Sequence, residues 1–428
     1  MEASPPPDPR ASPAVRAFRV LTRAPAAISD RQLGLLFAVA LAALFEEYDI
    51  AMLTSALRYI AADLAIAEGD LPDLLAVIRL GAVPAFAFIP YADRVGRRRV
   101  FLSSVLAMGV LTVLTSFAQG PWDFVVLQML TRTFFVAGTA IAFVYIAEEF
   151  PAEHRGFGIG LLGAIAVSGH GLSAVLFSGI NHLPHGWRLL YAVGGVPVLL
   201  FPWLARRIPE TARFAAASSA MKVGAFSWLG PLRELLTLRP RRALGVALAG
   251  VLPTFGIIGT FQFSGYYTQS VRGWSPQQYA VMVVAAGAFG VVGNVSAGRL
   301  ADRFGRRAVG AALLAAFPLA ATLFYRGSDR WLPFAWAAAV FASQGGRAIL
   351  RAQATELFPT AMRGAASGVF TVLDVLGAAF GLFVLGRMLE GGASLPAAIP
   401  LVAAVTVGGA LVVLAFPETS GRELEQID

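Results

Sequence analysis

The chain alternates between apolar stretches of about 20 residues and short polar connections. An α-helix of that length can cross the hydrocarbon core of a bilayer, so each stretch predicts a membrane-spanning helix. The first six predicted helices, spans 1 to 6, occupy about 33–58, 71–91, 99–118, 122–147, 157–180 and 187–206. The next six, spans 7 to 12, occupy about 241–268, 277–298, 308–325, 331–352, 364–388 and 396–416. The pattern predicts an all-α membrane protein built from two six-helix halves.

Three polar motifs occur once in each half, at a nearly constant separation. The first is ADRVGRR at 92–98 and ADRFGRR at 301–307, the second runs from Glu149 and from Glu356 to an Arg-Gly pair, and the third is Pro-Glu-Thr at 209–211 and 417–419. A constant separation indicates a duplicated structural unit, and duplicated helical bundles are typical of secondary transporters. The sequence therefore predicts two copies of one membrane module.

Arginines gather on one side of the predicted membrane. They cluster in the connections after spans 2 and 8 and in the central segment 206–242. The loop 63–73, on the opposite side, contains acidic residues and no basic one. We call these the arginine-rich side and the acidic side. The positive-inside rule places the arginine-rich side and both termini in the cytoplasm.

The composition agrees with a membrane protein, because 57% of the residues are hydrophobic and only 14% are charged. The net charge of +8 arises from the arginine-rich connections, so we expect no nucleic-acid partner. The absence of cysteine excludes disulfides and thiolate-bound metals, and we expect neither a metal site nor a cofactor. No Walker loop and no motif of a hydrolase or metalloprotease is present, which excludes ATP-driven transport and argues against an enzyme.

The same features predict the order of segments along the chain. Residues 1–30, rich in proline, alanine and arginine, are expected to form a disordered cytoplasmic tail and lack the apolar core of a signal peptide. The remaining segments are a first half at 31–206, a cytoplasmic linker at 207–240, a second half at 241–416 and a cytoplasmic tail at 417–428.

The Asp-Arg-x-Gly-Arg-Arg loops resemble the signature loop of the major facilitator superfamily. The Glu-x-x-Pro-type motifs after spans 4 and 10 point the same way, and the Pro-Glu-Thr motifs resemble those of its sugar-porter and metabolite–proton symporter branches. The resemblance covers the chain from about residue 33. It implies twelve helices in two pseudo-symmetric halves that work by alternating access. Span 7 reads Phe261-Gln262-Phe263-Ser264-Gly265-Tyr266, which differs from the sugar-porter pattern and argues against a sugar as substrate.

The repeated motifs predict a gate on the cytoplasmic side. Carboxylates at helix ends beside arginines can hold neighbouring helices by charge-assisted hydrogen bonds, which would break when the halves rock. The alternative is that the arginines only fix the topology. The predicted gate residues are Asp93, Arg94, Gly96, Arg97, Glu149 and Arg155 in the first half, and Asp302, Arg303, Gly305, Arg306, Glu356 and Arg363 in the second.

Ionisable residues in mid-span are costly, so each is a candidate for function. Asp49 in span 1 and Arg132 in span 4 both lie about 24 Å from the cytoplasmic face, by the rise per residue of a helix. We predict that they form a proton-coupling pair, since burial favours the neutral carboxyl whereas a nearby arginine favours the carboxylate. The resemblance supports this pair, because sugar porters have a Tyr-Asp pair on helix one and an arginine on helix four. The alternative is a static salt bridge.

Two further groups in the first half are candidate proton sites. Glu46 lies three residues before Asp49, on nearly the same helix face, and is compatible with a second proton site or a cation ligand. Glu47 points elsewhere, because each residue turns a helix by about 100 degrees. His170 in span 5 has a suitable intrinsic pKa for proton transfer, but a packed, hydrogen-bonded histidine is an equally good interpretation.

The candidate substrate contacts are spread over both halves. Arg347 and Asp374 fall at a similar depth, and either they pair or Arg347 faces an anionic substrate. Arg79 in span 2 has no partner that the sequence indicates. The aromatic residues of span 7 fit either a binding site or the interfacial belt. The full set of predicted substrate contacts is Arg79, Gln128, Gln262, Phe263, Tyr266, Asn294, Arg347 and Asp374.

Together these observations predict a proton-coupled symporter that takes up a small polar metabolite across a bacterial inner membrane. Arg132, Arg347 and the altered span 7 motif favour a carboxylated compound over a sugar. The expected partners are the small-molecule substrate, protons and the lipid bilayer, and one chain is expected to suffice. The alternative is a proton-driven antiporter that exports drugs or metabolites, with the acids of span 1 serving cationic cargo.

Overall fold

The computed structural model of the chain describes residues 13–211, 214, 240–356 and 363–418. Within these ranges the regular structure is entirely helical. In the first half, span 1 is Asp30–Asp63, span 2 is Leu71–Leu80, Pro84–Ala87 and Phe88–Val95, span 3 is Arg97–Thr115, span 4 is Pro121–Glu149, span 5 is Arg155–Ser178, and span 6 is Trp187–Gly194 and Val196–Arg207. In the second half, span 7 is Pro240–Gln262, Ser264–Tyr266 and Tyr267–Val271, span 8 is Pro276–Phe304, span 9 is Arg306–Arg326, span 10 is Leu332–Glu356, span 11 is Arg363–Glu390, and span 12 is Leu395–Ala403 and Thr406–Ala415. The predicted fold, twelve helices in two six-helix halves, is confirmed.

Local chemistry explains where several spans begin. Ser29 caps span 1 and Ser275 caps span 8, each by accepting from the backbone N–H three residues later while a glutamine side chain reaches back to the cap. Spans 2 and 3 meet at Gly96, whose φ of 105° favours glycine. Spans 8 and 9 meet in the same way at Gly305, with φ of 91°. The repeated motif thus forms the same tight turn twice.

Helix packing repeats between the halves. Span 1 packs along span 5 and span 7 along span 11, while spans 3 and 4 pair as spans 9 and 10 do. Across the halves, span 2 meets span 11 and span 5 meets span 8. Nine of the described helices are apolar enough by composition alone to cross a bilayer.

The N-terminal segment differs from its prediction. Residues 1–30 were expected to be disordered, yet Pro13–Thr22 is a helix that buries Val15 and Phe18. The Phe18 ring lies 5.3 Å from the Phe37 ring of span 1, centroid to centroid. Apolar contacts with the membrane-spanning bundle therefore order this segment. Residues 1–12, most of the predicted linker and residues 419–428 of the predicted tail lie outside the described residues.

Candidate functional site

A central cavity lies between spans 1, 2, 4 and 7, at the junction of the two halves. Five predicted residues line it, which are Asp49, Arg79, Gln128, Arg132 and Gln262. The rest of its wall is mostly apolar and is formed by Ile50, Leu53, Leu75, Ile78, Thr131 and Phe135. Apolar walls with a few convergent polar groups are typical of small-molecule sites.

Asp49 is only 4% exposed, and its Oδ1 accepts a hydrogen bond of 3.0 Å from the Thr112 hydroxyl. Arg132 faces the same cavity, with its guanidinium carbon 5.1 Å from the centre of the Phe135 ring. The two charged groups share the cavity, but among the described residues they form no direct ion pair. Thr112 was missed by the sequence analysis, because a threonine inside an apolar span gives no sign of its partner.

Arg79 joins the two halves at the cavity wall. Its Nη2 donates to Gln262 Oε1 over 3.3 Å, and Gln262 Nε2 donates to Thr54 Oγ1 over 3.2 Å. Through these two hydrogen bonds, Gln262 links span 7 to spans 1 and 2 of the first half. The Nε atoms of Arg79 and Arg132 are buried and have no hydrogen-bond partner in the described part of the chain. Neither arginine forms an ion pair with a described carboxylate, so the cavity presents two guanidinium groups that an anion can neutralise.

A second cavity of about 200 Å³ lies between spans 7, 10 and 11. Arg347 and Asp374 line it and pair there, with Arg347 Nη2 2.9 Å from Asp374 Oδ2 and 3.1 Å from Oδ1. Of the two interpretations that the sequence left open, the structure has the ion pair. Arg351 lines the same cavity and stacks on Phe370, with its guanidinium carbon 5.5 Å from the ring centre.

The remaining acids of span 1 face other helices of their own half. Glu46 is 2% exposed, and its Oε2 accepts from the Thr139 hydroxyl of span 4 over 2.7 Å. Glu47 Oε2 lies 3.5 Å from His170 Nδ1 of span 5. Glu46, Glu47 and Asp49 thus point in three different directions. Of these three acids, only Asp49 lines the central cavity.

Two predicted substrate contacts, Phe263 and Tyr266, are not part of the walls of the two cavities above. Phe263 is fully buried, and Tyr266 donates its hydroxyl to Glu68 Oε2 over 3.1 Å on the acidic side. Span 7 continues past Gln262 toward the acidic side in two shorter helical segments, which carry these rings beyond the cavity. The side chain of Asn294 lies outside the described residues.

Hydrogen bonds between the halves gather on the acidic side. Arg58 donates to the carbonyl of Gln269 over 2.7 Å, and Gln269 Nε2 donates back to the carbonyl of Ser55 over 3.1 Å. Arg387 of span 11 pairs with Asp73 of span 2 at 3.0 Å. These contacts close the acidic side of the central cavity.

On the arginine-rich side, the predicted partner of the arginine cluster needs correction. Arg97 pairs with Asp93 at 2.9 Å and with Glu148 at 3.1 Å. The sequence predicts Glu149 in that role, whereas Glu148 makes the contact with Arg97, and the backbone carbonyl of Glu149 accepts from Gln32 Nε2 over 2.6 Å. Successive residues point about 100 degrees apart on a helix, so a motif alone does not determine which of two adjacent glutamates faces span 3.

The Pro-Glu-Thr motifs have a structural role that the sequence analysis missed. Glu210 accepts from the backbone N–H of Arg98 over 3.1 Å, and Glu418 accepts from that of Arg306 over 3.0 Å. Each glutamate therefore satisfies free N–H groups at the start of span 3 or span 9, where a negative charge is favourable. Arg98 also donates to the carbonyl of Ala205 over 2.6 Å, at the end of span 6.

The remaining predicted gate residues lie near the ends of spans 2, 5, 8, 10 and 11 on the arginine-rich side. Arg94 is exposed, and Arg303 stacks on Phe304 with its guanidinium carbon 5.2 Å from the ring centre. Arg155 has a buried Nε without a described partner. Asp302 belongs to the helix that ends at Phe304. The side chains of Glu356 and Arg363 lie outside the described residues.

Known proteins resemble this chain over most of its length. A gallate transporter of Pseudomonas putida is 27% identical, with 87% of this chain and 89% of that protein aligned. A 3-(3-hydroxy-phenyl)propionate transporter of Escherichia coli is 28% identical, with 86% and 90% aligned. The inward-open structure of the xylose transporter XylE from E. coli shares the fold, with a TM-score of 0.74 at 18% identity over 92% of this chain and 99% of that one.

The sequence profile of the major facilitator superfamily matches residues 39–382 and 272–427. These matches extend from span 1 into the C-terminal segment, so the chain is a multi-pass membrane protein that belongs to the major facilitator superfamily.

Proposed function

We propose that this protein is a proton-coupled symporter that takes up a small carboxylated compound across a bacterial inner membrane. Its termini and its arginine-rich side face the cytoplasm, and one chain is the working unit. The observation that supports this best is the pair of arginines, Arg79 and Arg132, that reach the central cavity without an ion-paired carboxylate among the described residues.

The chemistry of the cavity suits an organic anion. A guanidinium binds a carboxylate through two parallel hydrogen bonds, and this preference is stronger where water is excluded. Phe135 and the aliphatic wall provide apolar surface for the rest of the molecule, and Gln128 can orient a polar substituent. Gallate and 3-(3-hydroxy-phenyl)propionate, named for the two relatives, both combine a carboxylate with a ring.

Proton coupling follows from the position of Asp49 in the same cavity. As a carboxylate, Asp49 attracts Arg132 and repels an anionic substrate. As a neutral acid, it leaves the charge of Arg132 available to the substrate. Proton and anion therefore favour each other's binding, as symport requires. Glu46 and the Glu47–His170 pair are secondary candidates for proton sites on the same path.

Alternating access gives the inter-half contacts their role. The bonds of Arg58, Gln269 and Arg387 hold the acidic side closed, and we expect the cavity to open toward the cytoplasm in this state. In the opposite state, the repeated arginine motifs would form the cytoplasmic gate.

The test is ligand-induced stabilisation of the purified protein at pH 5.5 and 7.5, with a panel of aromatic and aliphatic carboxylates, sugars and lipophilic cations. A ligand at 100 times its Kd stabilises the folded state by about 2.7 kcal/mol, which a thermal unfolding assay detects. We expect carboxylates to stabilise the protein and the effect to disappear in Arg132→Gln and Arg79→Gln. Arg330→Gln, which alters an exposed arginine on the acidic side, is the matched control. Stabilisation by sugars alone, or by lipophilic cations alone as a drug exporter would give, would contradict the proposal.

A further inference from the structure

The helix Pro13–Thr22, which we call the N-terminal helix, has one face packed on the protein and another that is exposed. Val15 and Phe18 are buried against span 1, and Arg19 donates to Asp30 Oδ1 over 2.7 Å. On the other face, Val20 is 76% exposed and Leu21 is 82% exposed. Two large apolar side chains are thus displayed by a helix whose protein-facing side is already packed.

The charge of this segment is entirely positive. Arg16 within the helix and Arg23 directly after it are exposed, and no acidic residue occurs between Pro9 and Ser29. An exposed apolar face bordered by arginines is typical of helices that lie in a membrane interface. Basic residues there are attracted by anionic headgroups.

The position of the helix places it at the level of the headgroups. It packs beside the first two turns of span 1, where Val15 faces Gly34 and Phe18 faces Phe37. Span 1 has 34 residues, which corresponds to about 51 Å of helix. That length exceeds a hydrocarbon core of about 30 Å, so the ends of the span extend into the headgroup region.

We propose that the N-terminal helix binds anionic lipid at the membrane surface on the arginine-rich side. Val20 and Leu21 insert among the acyl chains, while Arg16 and Arg23 bind the phosphate groups of acidic headgroups. Because the helix is packed on span 1, the same contacts attach the first half of the protein to the membrane surface. This proposal does not depend on the identity of the transported substrate.

The experiment compares the full chain in nanodiscs of phosphatidylcholine alone and in nanodiscs with phosphatidylglycerol as a third of the lipid. Hydrogen–deuterium exchange of peptides covering 13–23 reports the binding of the helix. Two arginines near an anionic surface should slow this exchange by roughly thirty-fold at low salt, and the effect should shrink as salt screens the charges. The double variant Arg16→Gln/Arg23→Gln should lose the dependence on lipid, and Arg16→Lys/Arg23→Lys should keep it.

Two controls separate lipid binding from folding of the helix. In phosphatidylcholine alone, wild type and the glutamine variant should exchange alike, because Val15 and Phe18 hold the helix in both. Arg330→Gln removes an arginine from the opposite side and should leave the lipid effect intact. Equal exchange in the two lipid mixtures, or loss of the lipid effect in the lysine variant, would overturn the proposal.

Discussion

Closure of the acidic side depends on a close approach of the two halves at Gly265. A β-carbon at this position would collide with the backbone carbonyl of Thr54 and would lie 3.3 Å from the Ser55 α-carbon. Backbone atoms cannot rotate away as a side chain can. Gly265→Val should therefore push span 7 away from span 1 and destabilise the state in which the acidic side is closed.

The size of the effect follows from the cost of overpacking. Extra methyl groups in a packed interface cost about 1–3 kcal/mol, unless the interface opens and relieves the contact. Free energies of this size change a conformational equilibrium by about 5- to 150-fold. The population open to the acidic side should rise by that factor.

The chain contains no cysteine, which permits a clean accessibility assay. Leu53→Cys places a single thiol in the wall of the central cavity, at a position that is 7% exposed in the closed structure. A membrane-impermeant maleimide added from the acidic side should label it at least fivefold faster when Gly265→Val is also present. Gly287→Val is the matched control, since a β-carbon there meets no other atom within 4 Å. Equal labelling in the two valine variants would refute the role of this contact.

Three smaller predictions follow from single contacts. Asp73→Asn should accelerate the same labelling by less than about fivefold, because its partner Arg387 is 67% exposed and exposed ion pairs contribute about 0.2–1 kcal/mol; a larger effect would mean that this pair dominates closure. Gly96→Ala should lower the free energy of unfolding by about 1–3 kcal/mol, since a φ of 105° strains any residue with a β-carbon, and an unchanged unfolding temperature would contradict this. Thr112→Val should lower the free energy of unfolding by about 1–3 kcal/mol, because it removes the donor to buried Asp49. A variant as stable as wild type in the same thermal unfolding assay would contradict this prediction.

Much of the fold could be predicted from the sequence, because membrane insertion depends on local properties. Transfer of about 20 apolar side chains into lipid defines a span without reference to any other part of the chain. The depth of Asp49 and Arg132 also followed from counting residues along two helices, and the structure places both side chains on one cavity. The repeated motifs indicated the duplication for the same reason, since each copy forms its own local turn.

The contacts between helices were decided by the tertiary structure. Arg79 and Gln262 are 183 residues apart, and no pattern in either span indicates the other. Likewise, Glu148 rather than Glu149 meets Arg97, Thr112 meets Asp49, and Tyr266 reaches the acidic side instead of the cavity. Each of these outcomes depends on how far a helix is rotated about its own axis.

That rotation is set by close packing at particular small residues. A β-carbon at Gly169 of span 5 would lie 2.8 Å from the Tyr48 backbone nitrogen, so the glycine allows span 1 to approach in the orientation that turns Asp49 toward the cavity. Gly265 has the same function between spans 1 and 7. The sequence by itself determined which segments enter the membrane and where their charges lie in depth, since both are properties of one helix at a time. Which charges meet was decided only by the tertiary structure, since a meeting requires the relative rotation of two packed helices.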